Sequence, residues 1–302
     1  MLIISEYLRL RKLYLHKEFL HENKQRSFQI AEVEIQMCGI FGVALKKPIP
    51  LTKVFRVLEK LEVHQYPQEL KPVGGYGAGV AILLNDGSVL FENVGKVNNS
   101  SVRHLAKIVN AKVNEASVLV GHVRMPSPEF MESAKFKETA QPYVVELDPN
   151  LTIVSVHNGK VENYKELREK LGEEHVFESE KVELIDSEVI PHYFEELLNE
   201  IDDIDEALYT LFCALQGSNA IAMLQIDEEN TFLHLIHKGK TRGLTVWTNE
   251  RNEVIFCSRK EPLIEEFNNT LVRGKFKEKV SIAWREDVGL KLSFPVSFRV
   301  KG

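Results

Sequence analysis

Short apolar runs of strand length dominate the hydrophobic pattern of the chain, and helical periodicity is confined to a few segments. Residues 38–45, CGIFGVAL, form the first strand-like run, and residues 51–62 place their aliphatic side chains at helical spacing. Residues 78–84 and 88–94 are apolar runs separated by Asn85-Asp86-Gly87, and Asp-Gly between two such runs predicts a hairpin. The first third of the chain is therefore predicted to mix antiparallel strands with a helix.

The rest of the chain continues in the same way, with a helical block in its middle. Pro48 and Pro50 are expected to end the first strand, and Asn158-Gly159 is expected to form a tight turn with a positive φ angle. A helix is expected to begin at Asp186. Other predicted helices cover 101–114, 163–171, 204–216 and 260–266, and other predicted strands cover 117–124, 151–157, 219–226, 231–237, 243–248, 253–258, 276–285 and 288–300. This order predicts the α+β class, in which helices cover antiparallel sheets.

Composition excludes several classes of protein. The chain has 302 residues, and its 44% of apolar residues is typical of a globular protein. Its formal net charge of −6 argues against a nucleic-acid partner. Its apolar runs are too short to span a membrane. The three cysteines, Cys38, Cys213 and Cys257, have neither the number nor the spacing of a disulfide framework or a zinc site. We therefore expect a cytoplasmic protein without a metal or other cofactor.

The first 36 residues differ from the remainder because they mix charges and aliphatic side chains without a continuous apolar core, so a secretory signal is not expected. Three interpretations stay open: a propeptide, an ordered N-terminal extension, or a start codon assigned too early. Met37 directly precedes Cys38, which favours the third. The expected division is residues 1–36 as this extension and residues 37–302 as one domain.

Four features near predicted strand ends could act together. Cys38 could be a nucleophile, Arg124 could bind a carboxylate, and Asp186 could bind an ammonium group. Asn158 and the Gly159 backbone N–H could donate to an oxyanion. Taken singly, each has an ordinary alternative: a core cysteine, a surface arginine, a turn and a helix cap. Taken together, they would combine a nucleophile and oxyanion donors with groups that recognise the zwitterionic head of an amino acid.

Six local sequences occur in order along the chain: Met37-Cys38-Gly39-Ile40-Phe41-Gly42, GAGVA at 77–81, Gly121-His122-Val123-Arg124, Gln141-Pro142-Tyr143, His157-Asn158-Gly159 with Asn163, and Asp186-Ser187-Glu188. This ordered set resembles the class II (N-terminal nucleophile) glutamine amidotransferase domain, over residues 37 to about 260. The chain departs from the family pattern at Met125, where an aromatic residue is usual, and in the Ser127-Pro128 segment that follows.

The resemblance implies a four-layer αββα sandwich of two antiparallel sheets, the N-terminal nucleophile (Ntn) hydrolase type. It implies that Cys38, once its α-amino group is free, attacks the side-chain amide of glutamine and forms a thioester. Asn158 and Gly159 would stabilise the oxyanion, while Arg124 and Asp186 would bind the α-carboxylate and α-amine of the substrate. The products would be glutamate and ammonia.

The resemblance leaves the ammonia acceptor open, and we expect a separate synthase subunit to contain it. Two other interpretations remain. The domain could be a catalytically silent subunit that senses glutamine, or it could be another Ntn amidohydrolase.

Overall fold

The structure, a computed structural model, describes residues 37–147, 151–239, 242–268, 272, 275–283 and 293–301. The N-terminal extension expected at residues 1–36 lies outside the described residues, so the boundary expected at residue 37 stays a prediction. No helix in the described ranges has the length and apolar character needed to cross a membrane.

Two antiparallel sheets form the centre of the domain. Among the described residues, the larger has seven strands in the order β11-β9-β10-β1-β4-β2-β3, and the smaller has five in the order β12-β8-β7-β6-β5. The strands are β1 Gly39–Pro50, β2 Gly77–Leu83, β3 Val89–Gly95, β4 Glu115–Val123, β5 Tyr143–Leu147, β6 Leu151–Gly159, β7 Asn219–Asp227, β8 Thr231–Lys238, β9 Leu244–Thr248, β10 Val254–Cys257, β11 Lys277–Ile282 and β12 Phe294–Lys301.

The described part of the chain contains six α-helices, which cover the outer faces of the sheets. They are α1 Leu51–Val63, α2 Ser101–Asn110, α3 Tyr164–Lys170, α4 Val189–Glu200, α5 Ile204–Ala214 and α6 Lys260–Asn268. Apolar side chains of α1 and α2 pack with one face of the seven-stranded sheet. Those of α3, α4 and α5 pack with one face of the five-stranded sheet. The remaining two faces pack against each other, so the layers follow the order αββα and confirm the predicted fold class.

Alternation along the strands assigns each side chain to one of these layers. On β1, Ile40 and Ala44 belong to the apolar cluster between the sheets, whereas Phe41 and Val43 face the helices. The same rule applies to β6, where Val154 and Val156 point between the sheets. Side chains at even positions near the ends of β1, β4 and β6 therefore converge on one region between the sheets.

Three local predictions were wrong, each because a tertiary contact overrides local preference. Asn158 and Gly159 continue β6 and pair with Ala220 and Asn219 of β7 instead of forming a turn. The prolines do not end β1, which continues to Pro50 through an irregularity in register. Asp186 lies before the start of α4, which begins at Val189. The hairpin at Gly87 is confirmed, and that glycine has a φ angle of +91°.

Candidate active site

Cys38 lies immediately before β1, where the chain enters the larger sheet beside the end of β4. The pairing of Gly39 with Val123 places Cys38 next to the residues that follow β4. Its Sγ is 3.3 Å from the carbonyl oxygen of Met125 and 3.4 Å from the Met125 backbone nitrogen. The thiol therefore contacts the backbone of Met125, the residue at which the sequence departs from the family pattern.

The groups around the Cys38 thiol shift its pKa in opposite directions. Burial raises its pKa above the usual value, and the Met125 backbone contact together with the positive charges of Arg124 and Arg242 partly oppose this effect. The negative charge of Asp186 adds a small further increase. Because burial dominates, formation of the thiolate requires a base close to the sulfur.

Arg124 follows β4 and is almost fully buried. Its backbone N–H donates to the carbonyl of Gly77 at 2.9 Å, and its Nη1 donates to Thr139 Oγ1 at 2.5 Å. The Thr139 hydroxyl in turn donates to the carbonyl of Ser133 at 2.7 Å. Burial lowers the Arg124 pKa, but a guanidinium starts so high that it keeps its charge at neutral pH. The segment after β4 therefore fixes the orientation of a buried cation.

Asn158 points between the sheets, on the same side of β6 as Val156. Its side chain is fully buried, and neither its oxygen nor its nitrogen has a hydrogen-bond partner among the described residues. Buried polar groups are nearly always paired, so an unpaired buried amide calls for a specific explanation. A bound ligand that occupies the space beside it would supply both partners.

A hydrogen-bonded network lies on the opposite side of this strand. His157 accepts at Nδ1 from Ser187 Oγ, 2.8 Å away, and its Nε2 is 2.8 Å from Asn219 Oδ1. Because an amide oxygen only accepts, Nε2 carries the proton. Burial lowers the His157 pKa to about 3, so the ring is neutral. Gln141 joins the network at both ends, donating to Ser187 Oγ at 3.0 Å and accepting from the His157 backbone N–H at 2.5 Å.

Gly159 is held in the same strand by its pairing with Asn219. A β-carbon added at this position would lie 2.4 Å from His157 Nε2 and 2.4 Å from the Ser218 carbonyl oxygen. The first atom is fixed by its contact with Asn219 and the second belongs to the backbone, so no side chain fits here. Packing against His157 and the chain before β7 therefore requires glycine at this position.

Asp186 is buried between a single 3-10 turn and the start of α4. Its Oδ2 accepts from the Val161 backbone N–H at 2.8 Å. Burial raises its pKa to about 6, while the Val161 N–H and the positive charge of Lys160 oppose the rise and Glu129 adds to it. The carboxylate is therefore charged at neutral pH and loses that charge in mild acid.

Two further residues belong to this region and were missed by the sequence reasoning. Arg242 is buried just before β9; its pKa is lowered to about 10 by burial, and the negative charges of Cys38 and Asp186 act against that decrease. No motif surrounds it, so the sequence carried no signal. His122 is buried on the same side of β4 as Arg124, and neither ring nitrogen has a partner among the described residues. Its position inside the Gly121–Arg124 motif was the available signal.

The remaining cysteines lie elsewhere. Cys213 is exposed, and Cys257 is buried in the apolar cluster beneath α1 and α2. Burial raises the pKa of Cys257 to about 12, which leaves it an inert thiol. Cys38 is therefore the cysteine that lies among the buried charged groups.

Comparison with known proteins agrees with this geometry. A family model described as a glutamine amidotransferase domain matches residues 130–265, which include Asn158, Gly159 and Asp186 but neither Cys38 nor Arg124. The glutamine–fructose-6-phosphate aminotransferase (isomerizing) of Aquifex aeolicus is 32% identical over 198 residues, 65% of this chain and 29% of that protein. The enzyme of the same name from Sulfurisphaera tokodaii is 31% identical over 201 residues, 65% of this chain and 30% of that protein. The chain thus spans less than a third of the length of these relatives.

Solved structures show the same fold at low sequence identity. The allosteric regulatory enzyme of purine biosynthesis superposes with a TM-score of 0.59 at 14% identity, over 87% of this chain and 49% of that one. Glutamine phosphoribosylpyrophosphate amidotransferase from B. subtilis, solved with ADP and GMP, gives a TM-score of 0.57 at 16% identity with the same coverage. At this identity the similarity concerns the fold alone.

Proposed function

This chain carries a class II glutamine amidotransferase domain with an Ntn-hydrolase fold, and we propose that it hydrolyses glutamine to glutamate and ammonia with Cys38 as the nucleophile. One observation carries the proposal. The thiol of Cys38 lies among buried charged groups at the strand ends where a fully buried amide, that of Asn158, has no partner among the described residues.

The proposed reaction begins with the α-amino group of Cys38, which becomes available when no residue precedes it. An α-amine has a pKa of about 7.7–8.0, so at neutral pH it can take the thiol proton that burial otherwise retains. The thiolate then attacks the carbon of the glutamine side-chain amide. The bond between carbon and nitrogen breaks, the ammonium returns its proton to the leaving nitrogen, and ammonia departs. Water hydrolyses the resulting thioester to glutamate.

The other residues of the site are proposed to bind and stabilise. The Asn158 amide and the Gly159 N–H would donate to the oxygen of the tetrahedral intermediate, where charge develops. The Arg124 guanidinium would pair with the α-carboxylate of glutamine, and the Asp186 carboxylate would pair with its α-ammonium. Arg242 adds a second cation near the sulfur, which favours the thiolate over the thiol.

We place the ammonia acceptor on a separate synthase polypeptide and the protein in the cytoplasm, as expected from the sequence. The side chains proposed to act on glutamine all belong to one αββα unit of this chain. The test is to mix the purified chain with glutamine, with and without candidate synthase subunits, and to follow glutamate release and aminated product. A chain that begins at Cys38 and yet releases no glutamate in any pairing would refute the proposal.

A silent, glutamine-sensing domain remains the alternative, and one observation favours it. Met37 is almost fully buried, so its side chain has a place in the folded domain. A chain that keeps this residue has no free amine at Cys38, because the Cys38 nitrogen is then part of a peptide bond. Such a chain would bind glutamine without turnover, which calorimetry combined with a glutamate assay detects.

Another Ntn amidohydrolase is disfavoured because Arg124 and Asp186 together suit a zwitterionic substrate, and a panel of amides lacking the α-amine and α-carboxylate tests it.

Replacing Thr139 with valine is expected to raise KM for glutamine about 10-fold, which corresponds to roughly 1.4 kcal/mol. Valine keeps the shape of threonine but removes the oxygen that accepts from Arg124 Nη1. Arg124 would then lose its orientation toward the substrate carboxylate, while chemistry at Cys38 continues. Thr139→Ser keeps the hydroxyl and serves as the matched control, with KM close to that of the parent. Equal values of KM for the two variants would contradict this role, and steady-state kinetics provides the measurement.

Below the step that the Cys38 α-amine gives near its ordinary pKa of about 7.7–8.0, the pH profile of kcat/KM for glutamine is expected to show a second acid limb with an apparent pKa of about 6. The free enzyme must present Asp186 as a carboxylate, and burial raises its pKa to about 6, so activity is lost as pH falls through that value. Lys160 lowers this pKa by its positive charge. Lys160→Met should therefore move this second limb to higher pH. Lys165→Met removes an exposed lysine from the same segment and should leave the limb in place, whereas equal shifts in both variants would argue against Asp186.

A further inference from the structure

A cluster of two histidines and a glutamate lies on the five-stranded side of the domain, apart from the residues proposed to act on glutamine. His175 comes from the connection after α3, and His192 and Glu195 are three residues apart on α4. All three side chains are more than nine-tenths buried. One potential ligand atom from each lies within 4.8 Å of the other two.

Two distances within the cluster match those between ligands of a tetrahedral metal ion. His175 Nδ1 is 3.3 Å from His192 Nδ1 and 3.3 Å from Glu195 Oε2. A tetrahedral zinc ion with bonds of about 2.05 Å holds its ligands about 3.3 Å apart. Two of the three separations thus equal those around a tetrahedral ion, and the third, between His192 and Glu195, lies within 4.8 Å.

The arrangement outside the cluster points to a ligand role for His175 as well. Its other ring nitrogen, Nε2, is 3.5 Å from Glu196 Oε2. Histidines that bind metals through one nitrogen commonly donate from the other to a carboxylate, which fixes the tautomer and orients the ring. Glu196 is the next residue on α4 after Glu195, so one helix supplies both the direct ligand and this outer carboxylate.

We propose that His175, His192 and Glu195 bind one zinc ion through Nδ1, Nδ1 and the carboxylate, with water as the fourth ligand. The donor set of two imidazoles and one carboxylate suits a divalent transition metal and is poor for Mg²⁺ or Ca²⁺. This site is independent of the proposed glutaminase chemistry.

Neighbouring side chains pack against the cluster. The Phe177 ring stacks on His192 with centroids 4.2 Å apart and holds the orientation of that imidazole. The Arg168 guanidinium lies over the same Phe177 ring, and its Nε donates to Glu180 at 2.7 Å, so this cation is paired with a carboxylate outside the cluster.

A metal-free explanation of the same contacts makes a different prediction. If His175 is an imidazolium, its Nδ1–H donates a hydrogen bond shared between His192 and Glu195, and its Nε2–H donates to Glu196. No ion would then bind, and divalent metals would leave the thermal stability unchanged. A bound zinc ion would instead join the connection after α3 to α4, the helix that follows Asp186. Zinc should then raise the melting temperature, because an ion that binds only the folded state stabilises it.

The experiment uses the full chain without an affinity tag, stripped by a chelator and dialysed into metal-free buffer. Zinc binding is measured by calorimetry and by elemental analysis after gel filtration, and cobalt is added separately because a tetrahedral cobalt site absorbs visible light. The variants are His192→Ala, Glu195→Gln and Glu196→Gln. The matched controls are His104→Ala and Glu200→Gln, which remove an exposed histidine and an exposed glutamate, the latter on α4 itself.

We expect the parent chain and both controls to bind one more zinc per chain than His192→Ala. Glu195→Gln should lose the tight site, and Glu196→Gln should weaken it about 10- to 100-fold while keeping the stoichiometry. If His192→Ala fails to fold, the two glutamine variants, which conserve volume, decide the matter. Equal zinc content and equal affinity in all six chains would overturn the proposal, as would a parent chain whose melting temperature does not respond to zinc.

Discussion

Replacing Cys38 with alanine is expected to abolish glutamine hydrolysis, lowering kcat at least about a thousandfold, because no other group can form the thioester. Stability should change by less than about 1 kcal/mol, since the side chain is small and only partly buried. Glutamate release and urea denaturation measure the two effects separately. Cys213→Ala, which removes an exposed thiol, is the matched control and should keep full activity. Appreciable turnover in the Cys38 variant would rule out this nucleophile.

The same loss is expected from an intact Cys38 that lacks a free amine. Burial raises the pKa of the thiol, and Met37, when retained, converts the nearest base into a peptide nitrogen. A preparation whose intact mass begins at Met1 or Met37 should therefore be as inactive as the alanine variant, while one that begins at Cys38 should be active. Mass spectrometry and the glutamate assay on the same samples make the comparison. Full activity in a sample that starts at Met1 would show that another base serves the thiol.

Helices and hairpins that depend on residues close together in the sequence could be predicted from it with good accuracy. The helix in residues 51–62 and the hairpin at Gly87 follow from side-chain spacing and turn chemistry, and both are present. The strand order could not be predicted in this way. β1 lies between β4 and β10, which are distant in sequence, and only packing between the sheets selects these neighbours. The resemblance supplied the layer order that local patterns could not.

The candidate site shows the same limit. Asn158-Gly159 was interpreted as a turn because that dipeptide favours one, but pairing with β7 keeps it extended. Asp186 was interpreted as the first residue of a helix, yet its carboxylate accepts from Val161 and not from the helix that follows. Arg242 carried no local signal at all. The His175 cluster was missed because its ligands lie 17 residues apart and meet only after α4 has packed.

Replacing Asn158 with alanine is expected to lower kcat for glutamine about 10²- to 10³-fold with little change in KM. This is the usual effect of removing one donor to a developing oxyanion. Folding should be unaffected or slightly improved, because the amide is buried without a partner among the described residues and its removal relieves a desolvation cost. Stability and activity should thus change in opposite directions. Stopped-time glutamate assays and urea denaturation of the same preparation give both quantities.

Asn219 provides the matched control for this effect. Its Oδ1 is 2.8 Å from His157 Nε2 and its Nδ2 donates to the Gln216 carbonyl at 3.2 Å, so its amide holds the neighbouring strand in place. Asn219→Ala should therefore cost about 1–3 kcal/mol of stability, since it leaves the His157 proton unpaired in the interior. Its activity should fall far less than that of Asn158→Ala when both are assayed well below their melting temperatures. If Asn158→Ala instead lost stability and kept its kcat, the buried amide would serve the fold, and the oxyanion donors would have to be sought elsewhere between the sheets.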